Sequence, residues 1–582
     1  MRTLSATVAT LTGLLLAGCS DSSTEPTGPF PILGLTASAK SSTSVQYAFT
    51  TVPGDASYEV QRAEGAAGSF TTDTTITAPA TATAVSVTRT GLKTATTYRF
   101  RVITTKGGKT STPSSEASAT TLVLGNASAD ITTDITVSRT LYADTVYTLK
   151  GFIHVANGAT LTIQPGTRIV GDFNTPGSSL WILRGAKIQA VGTAELPIVM
   201  TSSRAAGQRQ PGDWGGLLII GNAPDNRSGS VTIEGSGVDG SAVVGGKNYF
   251  VQYNGGTVPT DNSGTLQYVR VEFAGYATLV DQEFNAFTFA AVGSGTRVSY
   301  VQALAGLDDS FEFFGGGFDF TNAVAYETAD DMFDMSEGWV GRMQFLIGYN
   351  SVQLTPRTGA GFYSVDIQGL ENDGCNGTGC DLGFNTTPFT VPLVANFTLI
   401  GCGDVNCSGT GGGYGAMLRR GTGGYYVNGV LARWARGGIS LRDSITFVRA
   451  GRAAVPDLAT SDLIIRNIYL AETPQVFQAV SAPGAAVQQN ALDLAGNSLT
   501  LGTGLTTSLF TTLPATGVAP TGNASFDFTP AAGSPIATGG LATFSGKIAA
   551  MAGAAFPATA YMGAAAPGGT KWWAGWTSYT RN

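Results

Sequence analysis

From Gly125 onward the apolar positions fall in short runs rich in Val, Ile and Leu, divided by Gly turns and by Asn or Asp corners. Runs such as Thr160-Leu161-Thr162-Ile163, Ile198-Val199-Met200-Thr201 and Gly216-Leu217-Leu218-Ile219-Ile220 are too short for helices and read as strands. They are also periodic. Asp308, Asp309 and Glu312 recur as Asp330, Asp331 and Asp334, each 22 residues on (330 − 308, 331 − 309, 334 − 312). Met417-Leu418-Arg419-Arg420 and Ile439-Ser440-Leu441-Arg442 repeat at the same interval (439 − 417, 442 − 420). A repeat of that length, built of strand-like pieces, is one coil of a parallel β-helix. Stacked coils lie about 4.8 Å apart, so equivalent side chains should form ladders. The expected domain spans 124–582. Trp572, Trp573, Trp576 and Tyr579 are expected to cap its last coil, because an open coil exposes strand edges.

The preceding segment, 31–123, alternates differently. Its runs at 44–50 (SVQYAFT), 58–63 (YEVQRA), 86–90 (SVTRT) and 98–105 (YRFRVITT) suit a small antiparallel sandwich. Gly91-Leu92 followed by Thr96-Thr97-Tyr98-Arg99-Phe100-Arg101-Val102 resembles the fibronectin type III family. That resemblance implies a corner tyrosine at Tyr98, whose hydroxyl bonds back to the chain, and a spacer or adhesion role without chemistry. Phe49 stands where the family usually carries a core tryptophan. Further on, Gly158-Ala159-Thr160-Leu161-Thr162-Ile163-Gln164-Pro165-Gly166-Thr167 and Gly212-Asp213-Trp214-Gly215-Gly216 resemble the opening coils of right-handed parallel β-helices on bacterial surface lipoproteins. The fold class is therefore expected to be all-β, a small fibronectin type III-like β-sandwich followed by a long right-handed parallel β-helix.

At the N-terminus, 1–18 reads as a signal peptide with an apolar segment too short to span a membrane. Leu16-Ala17-Gly18-Cys19 resembles a lipoprotein cleavage box, which implies lipidation of Cys19. Residues 19–30 form the lipidated cysteine and a polar tether. Acyl chains would supply the membrane attachment. Ser20 is not the aspartate that commonly retains lipoproteins at the inner membrane, so the outer membrane is expected, on its cell-surface or periplasmic face. Charged residues make up 13% of the chain, against about a quarter in ordinary domains, and Gly numbers 78. The net charge of −7 argues against nucleic acid as a partner. With one histidine, His154, a multi-histidine metal site is excluded.

The acidic ladder carries the candidate chemistry. Hard carboxylate oxygens stacked one coil apart favour Ca²⁺, with Asp308, Asp309, Glu312, Asp330, Asp331 and Asp334 as ligands. The competing structural reading has them accept backbone hydrogen bonds or pair with Arg342. Trp339, in a turn beside Gly338, is expected to be exposed for stacking on sugars. Arg342, Arg420 and Arg442 are the remaining candidates for ligand binding. The later arginines are expected about four coils, near 20 Å, from Asp309. Cys375, Cys380, Cys402 and Cys407 form two C-x4-C pairs offset by 27 (402 − 375, 407 − 380), expected as disulfides in loops on the same side of neighbouring coils. Their pairing is open among three arrangements. The leading expectation is a non-enzymatic binding or adhesion rod at the cell surface, for polysaccharide or surface proteins, with Ca²⁺. One alternative is a polysaccharide lyase or glycoside hydrolase using Asp309, Asp331 and Arg342. Another is a purely structural surface protein.

Overall fold

The computed structural model describes residues 29, 31–51, 57–77, 84–236, 243–244, 247–248, 251–279, 282–361, 363–376, 380–407, 409, 411–478 and 492–580. The signal peptide and Cys19 lie outside the described residues. The chain divides into two compact units, 1–123 and 124–582.

The first unit is an antiparallel sandwich. One sheet joins Thr36–Ser41, Ser44–Thr50 and Ala84–Arg89, and the other is built on Ser57–Glu64 and Thr97–Lys106. Alternate residues from both sheets, among them Val45, Tyr47, Tyr58, Val60, Phe100 and Val102, fill the core. Tyr98 is the corner tyrosine, its hydroxyl accepting the Lys93 N–H at 3.0 Å. Phe49 occupies the expected aromatic place in the core, 5.4 Å from the Tyr58 ring.

The second unit is a parallel β-helix. Each coil contributes one strand to a nine-stranded parallel sheet. Five consecutive strands of that sheet matter below: β1 (Phe287–Val292), β2 (Phe311–Gly316), β3 (Phe333–Ser336), β4 (Leu370–Asp373) and β5 (Tyr414–Arg419). Between them the chain crosses a second, fifteen-stranded sheet in longer strands such as Arg297–Gly306, Asp319–Thr328 and Gly424–Ala432. Seven of the long strands are broken at an equivalent position by a residue of left-handed conformation. Tyr268, Tyr300, Asn322, Phe345, Asn396, Asn428 and Asn467 all have φ between 51° and 62°. Register skips at these positions, so they stack as a corner that bends the sheet. Four of the seven are Asn, the non-glycine type that tolerates this conformation best.

Side chains alternate in and out along every strand. Inward, Phe287, Phe311 and Phe333 stack at ring spacings of 5.0 and 5.3 Å, the interval between coils. The acidic repeat keeps its predicted offset, with Glu312 opposite Asp334. The arginine repeat does not: Ala416, not Met417, lies opposite Ile439, so the interval there is 23 residues (439 − 416).

The C-terminal aromatics do not close the last coil. The segment from Gly539 to Ser578 runs back along the corner of the long strands, sewn down by side chains of successive coils. Asn467 donates to Gly539 O, Asn428 and Asn396 both donate to Thr559, and Arg342 to Met551 and Ala552. Gln302 bonds Ser578 and Arg270 donates to Trp576 O. Trp576 packs against Tyr268 and Tyr300, whose faces are left bare where the corner bends outward.

The disulfides pair within each motif, Cys375 with Cys380 and Cys402 with Cys407. Their loops leave one coil at two different corners, one after β4 and the other after the strand Leu393–Ile400. The 27-residue offset measures the path between two faces, not a step between coils.

Candidate functional site

The acidic positions lie on the outer face of the nine-stranded sheet. Phe311, Phe313, Phe333, Met335 and Leu370 point into the core. Alternation therefore sends Glu312, Asp334 and Glu371 outward, and parallel register sets the three directly opposite one another on β2, β3 and β4. Just before the strands runs a second ladder, Asn285, Asp309, Asp331 and Gln368. In each coil the side-chain oxygen accepts the main-chain N–H one coil on: Asp309 N–H to Asn285 at 3.1 Å, Asp331 to Asp309 and Gln368 to Asp331 at 2.7 Å, Tyr414 to Gln368 at 3.1 Å. The structural reading of the acids is realised in part. Asp309 and Asp331 each commit one oxygen to the backbone.

The two ladders, with Asp308 and Asp330, wall a cavity of about 530 Å³. Glu234 and Glu283 reach it from earlier in the chain, and Tyr363, Ser364 and Asp366 border it from the long insertion between Tyr349 and β4. Ten carboxylates line this space and one arginine, Arg419, faces them. Burial, before any neighbour, raises the proton affinity of eight of them. Glu234 and Asp330 are pushed up to about 7 and Glu371 to about 8. Asp308, Asp309, Glu312, Asp331 and Asp334 are held well above the usual carboxylate range by burial and then by one another's charge. Glu312 and Glu234 share a hydrogen bond, which requires a proton between them, and Asn285 donates to Glu312.

Such a site is built for positive charge. Four triads each bring three carboxylate oxygens within 4.8 Å of one another: Glu234–Glu283–Asp308, Asp308–Asp309–Asp330, Asp309–Glu312–Asp334 and Asp331–Asp334–Glu371. Ca²⁺ binds oxygen at 2.3–2.6 Å, so ligands across the ion stand up to about 5 Å apart, and the triads fit. Asp308, Asp309 and Asp334 each belong to two triads, which links the candidate positions into a row. The donors are hard oxygens throughout. They suit Ca²⁺ and not a thiolate- or imidazole-preferring metal.

The six acids expected from the repeat come together here. Three other expectations are corrected. Trp339 is not exposed: it is wholly buried, 4.7 Å from the Phe313 ring and 4.9 Å from Phe318, because the turn after β3 folds it under the sheet. Arg342 neither reaches the acids nor serves as a base. It starts a strand of the other sheet, pairs with Asp319 at 2.7 Å and lies 4.7 Å over Phe556. The later arginines are closer than expected. Only three steps separate β2 from β5, about 14 Å, since insertions lengthen the chain without adding coils. Arg419 reaches back to Glu371 and to Asp373 at 2.6 Å. Arg420 holds the other Asp373 oxygen, whereas Arg442 is exposed and lies 5.2 Å over Tyr414. Sequence reasoning missed Glu234, Glu283, Asp366, Glu371 and the role of Arg419. Leu370-Glu371 repeats Phe333-Asp334, but 37 residues on (371 − 334), which hid it from a search at 22.

Two known families match this architecture. The family described as the pectate-lyase-like β-helix domain matches residues 131–506, and the fibronectin type III domain matches 29–121. The chain belongs to the pectate-lyase-like β-helix family, with a fibronectin type III domain ahead of the helix. Among solved structures, an Fn3-like protein from Clostridium thermocellum is 30% identical over 17% of this chain and 96% of its own, with a TM-score of 0.14. Pectate lyase Pel3 from Pectobacterium carotovorum is 11% identical over 55% of this chain and 87% of its own, with a TM-score of 0.13. No curated protein matches the chain.

Proposed function

We propose that the acidic cleft is a Ca²⁺ site through which this β-helix binds an anionic polysaccharide without cleaving it. One observation carries the reading: ten buried or half-buried carboxylates face a single arginine in one cavity. Left to itself, such a cluster repels every anion and must hold protons. Loaded with divalent cations, it offers open coordination positions to carboxylates of a sugar chain. The family to which the chain belongs supports a polysaccharide as ligand. The test is retention of the protein on acidic and neutral polysaccharides, with Ca²⁺ or with chelator, while chain length and new sugar ends are followed. Ca²⁺-dependent retention on acidic chains with unchanged length is the expected result. Retention that ignores chelator would sink it.

Arg419 favours a second reading. It lines the same cavity, so a lyase would find its only cationic side chain there. Two contacts argue for binding instead, since Glu371 and Asp373 already hold its guanidinium. Unsaturated ends that appear with Ca²⁺ and vanish in Arg419→Gln would decide for the lyase. We further propose that Cys19 carries the lipid anchor at the outer membrane, which places the cleft where extracellular Ca²⁺ and polysaccharide meet it.

A further inference from the structure

A second charged cavity, of opposite sign, lies on the other sheet. Ile169, Met200 and Val271 point into the core from the adjacent strands Arg168–Gly171, Ile198–Ser202 and Gly264–Glu272. Their neighbours Arg168, Val199 and Arg270 therefore face outward, and register places them in one column, Arg168 opposite Val199 and Val199 opposite Arg270. The two arginines stand two coils apart, about 10 Å between main chains, within joint reach of one small group. Arg209 joins them from the loop after Ile198–Ser202, and the three border a cavity of about 430 Å³.

One carboxylate, Glu272, lines the cavity with them. It lies 2.9 Å from Arg270 and 3.9 Å from Arg209. Arg270 is further tied to Trp576 O, and Arg209 to Arg204 O. Arg168 makes no hydrogen bond or ion pair among the described residues. Arg168 is exposed at the rim, where partial desolvation and then the nearby Arg209 guanidinium hold its pKa below the usual value. Proteins seldom gather guanidiniums without an anion, because like charges repel and each gains most when a carboxylate or phosphate receives its planar donors. The excess here is two positive charges (3 − 1). Leu124, Val146 and Val199 complete the wall as apolar surface, and the volume falls within the range of small-molecule sites.

We propose that this cavity is an oxyanion site for a phosphate group, free or as the monoester of a small sugar. The dianion matches the excess charge, and Arg168 supplies donors that no group among the described residues receives. The site is separate from the acidic cleft, which lies on the nine-stranded sheet.

Titration calorimetry on the full chain, in chelator and about 150 mM NaCl, tests it with inorganic phosphate and glucose 1-phosphate as probes. Saturable binding of at least one probe, near one per chain, is expected. Affinity should fall at least about tenfold in Arg168→Gln and also in Arg209→Gln, the second variant guarding against a folding defect in the first. Asp309→Asn, in the other cavity, should leave it unchanged. Tighter binding of the sugar phosphate identifies a monoester as the ligand, and tighter binding of inorganic phosphate identifies the free ion. Failure of both probes to saturate, or equal binding by Arg168→Gln and the unaltered chain, overturns the proposal.

Discussion

Asp309 sits in a ladder whose ends, Asn285 and Gln368, are amides. Its Oδ1 does what an amide oxygen would do, accepting the Asp331 N–H, while its carboxylate also belongs to two of the triads. Asn at this position keeps the first role and removes charge from the second. Asp309→Asn should therefore fold and, in chelator at pH 8, melt higher than the unaltered chain, because one buried repulsion is gone. Its Ca²⁺ affinity should drop by about tenfold or more, roughly 1.4 kcal/mol or above, read by calorimetry. Unchanged affinity would remove Asp309 from the site. At this scale the sequence was legible where two coils matched in length, at Asp308 to Asp334. Trp339 was not legible, since a tryptophan between glycine and valine looks the same whether its turn folds inward or outward.

Among elements, the stacked strands β2 to β4 make the acids one titrating unit. Their folded pKa values lie above the unfolded values near 4, with Asp330 raised to about 7 and Glu371 to about 8. Between about pH 4 and pH 8 the folded state thus binds more protons than the unfolded state, and stability falls as pH rises. Metal-free protein should melt lower at pH 8 than at pH 5. Ca²⁺ should abolish or reverse the difference and release protons on binding at pH 7, measurable as a dependence of calorimetric heat on the buffer. A melting temperature that climbs from pH 5 to 8 in chelator would contradict the assigned shifts. The corner offers a separate test. Asn428 combines a left-handed φ of 59° with bonds to Thr559 and to the Leu541 N–H. Asn428→Ala should cost about 2–3 kcal/mol in denaturant unfolding, from the conformation and the lost hydrogen bonds. Repeat length announced the coils, but nothing in the tail's composition distinguished a cap from a segment laid along the corner.

For the whole molecule, two faces of one β-helix carry opposite charge, ten carboxylates in one cavity and three arginines in another. A net charge of −7 averages over both and conceals them. Attachment is the property assigned from sequence alone. Radiolabelled palmitate should enter the chain in a bacterial host and be lost in Cys19→Ala, which should then leave the membrane fraction. Persistent membrane association of that variant would point to another anchor.

The segment from Gly539 to Ser578 grips coils formed by residues 270 to 467, starting on the last of them at Asn467, passing over Arg342 and back across Asn396 and Asn428, and ending on the earliest at Arg270 and Gln302. During synthesis and export the coils emerge and stack before this segment exists. Assembly is therefore completed last, by a closing seam laid across coils that precede it in the chain. A chain interrupted before that point would hold its coils but leave Tyr268, Tyr300 and the corner amides uncovered, marking it for proteolysis as unfinished.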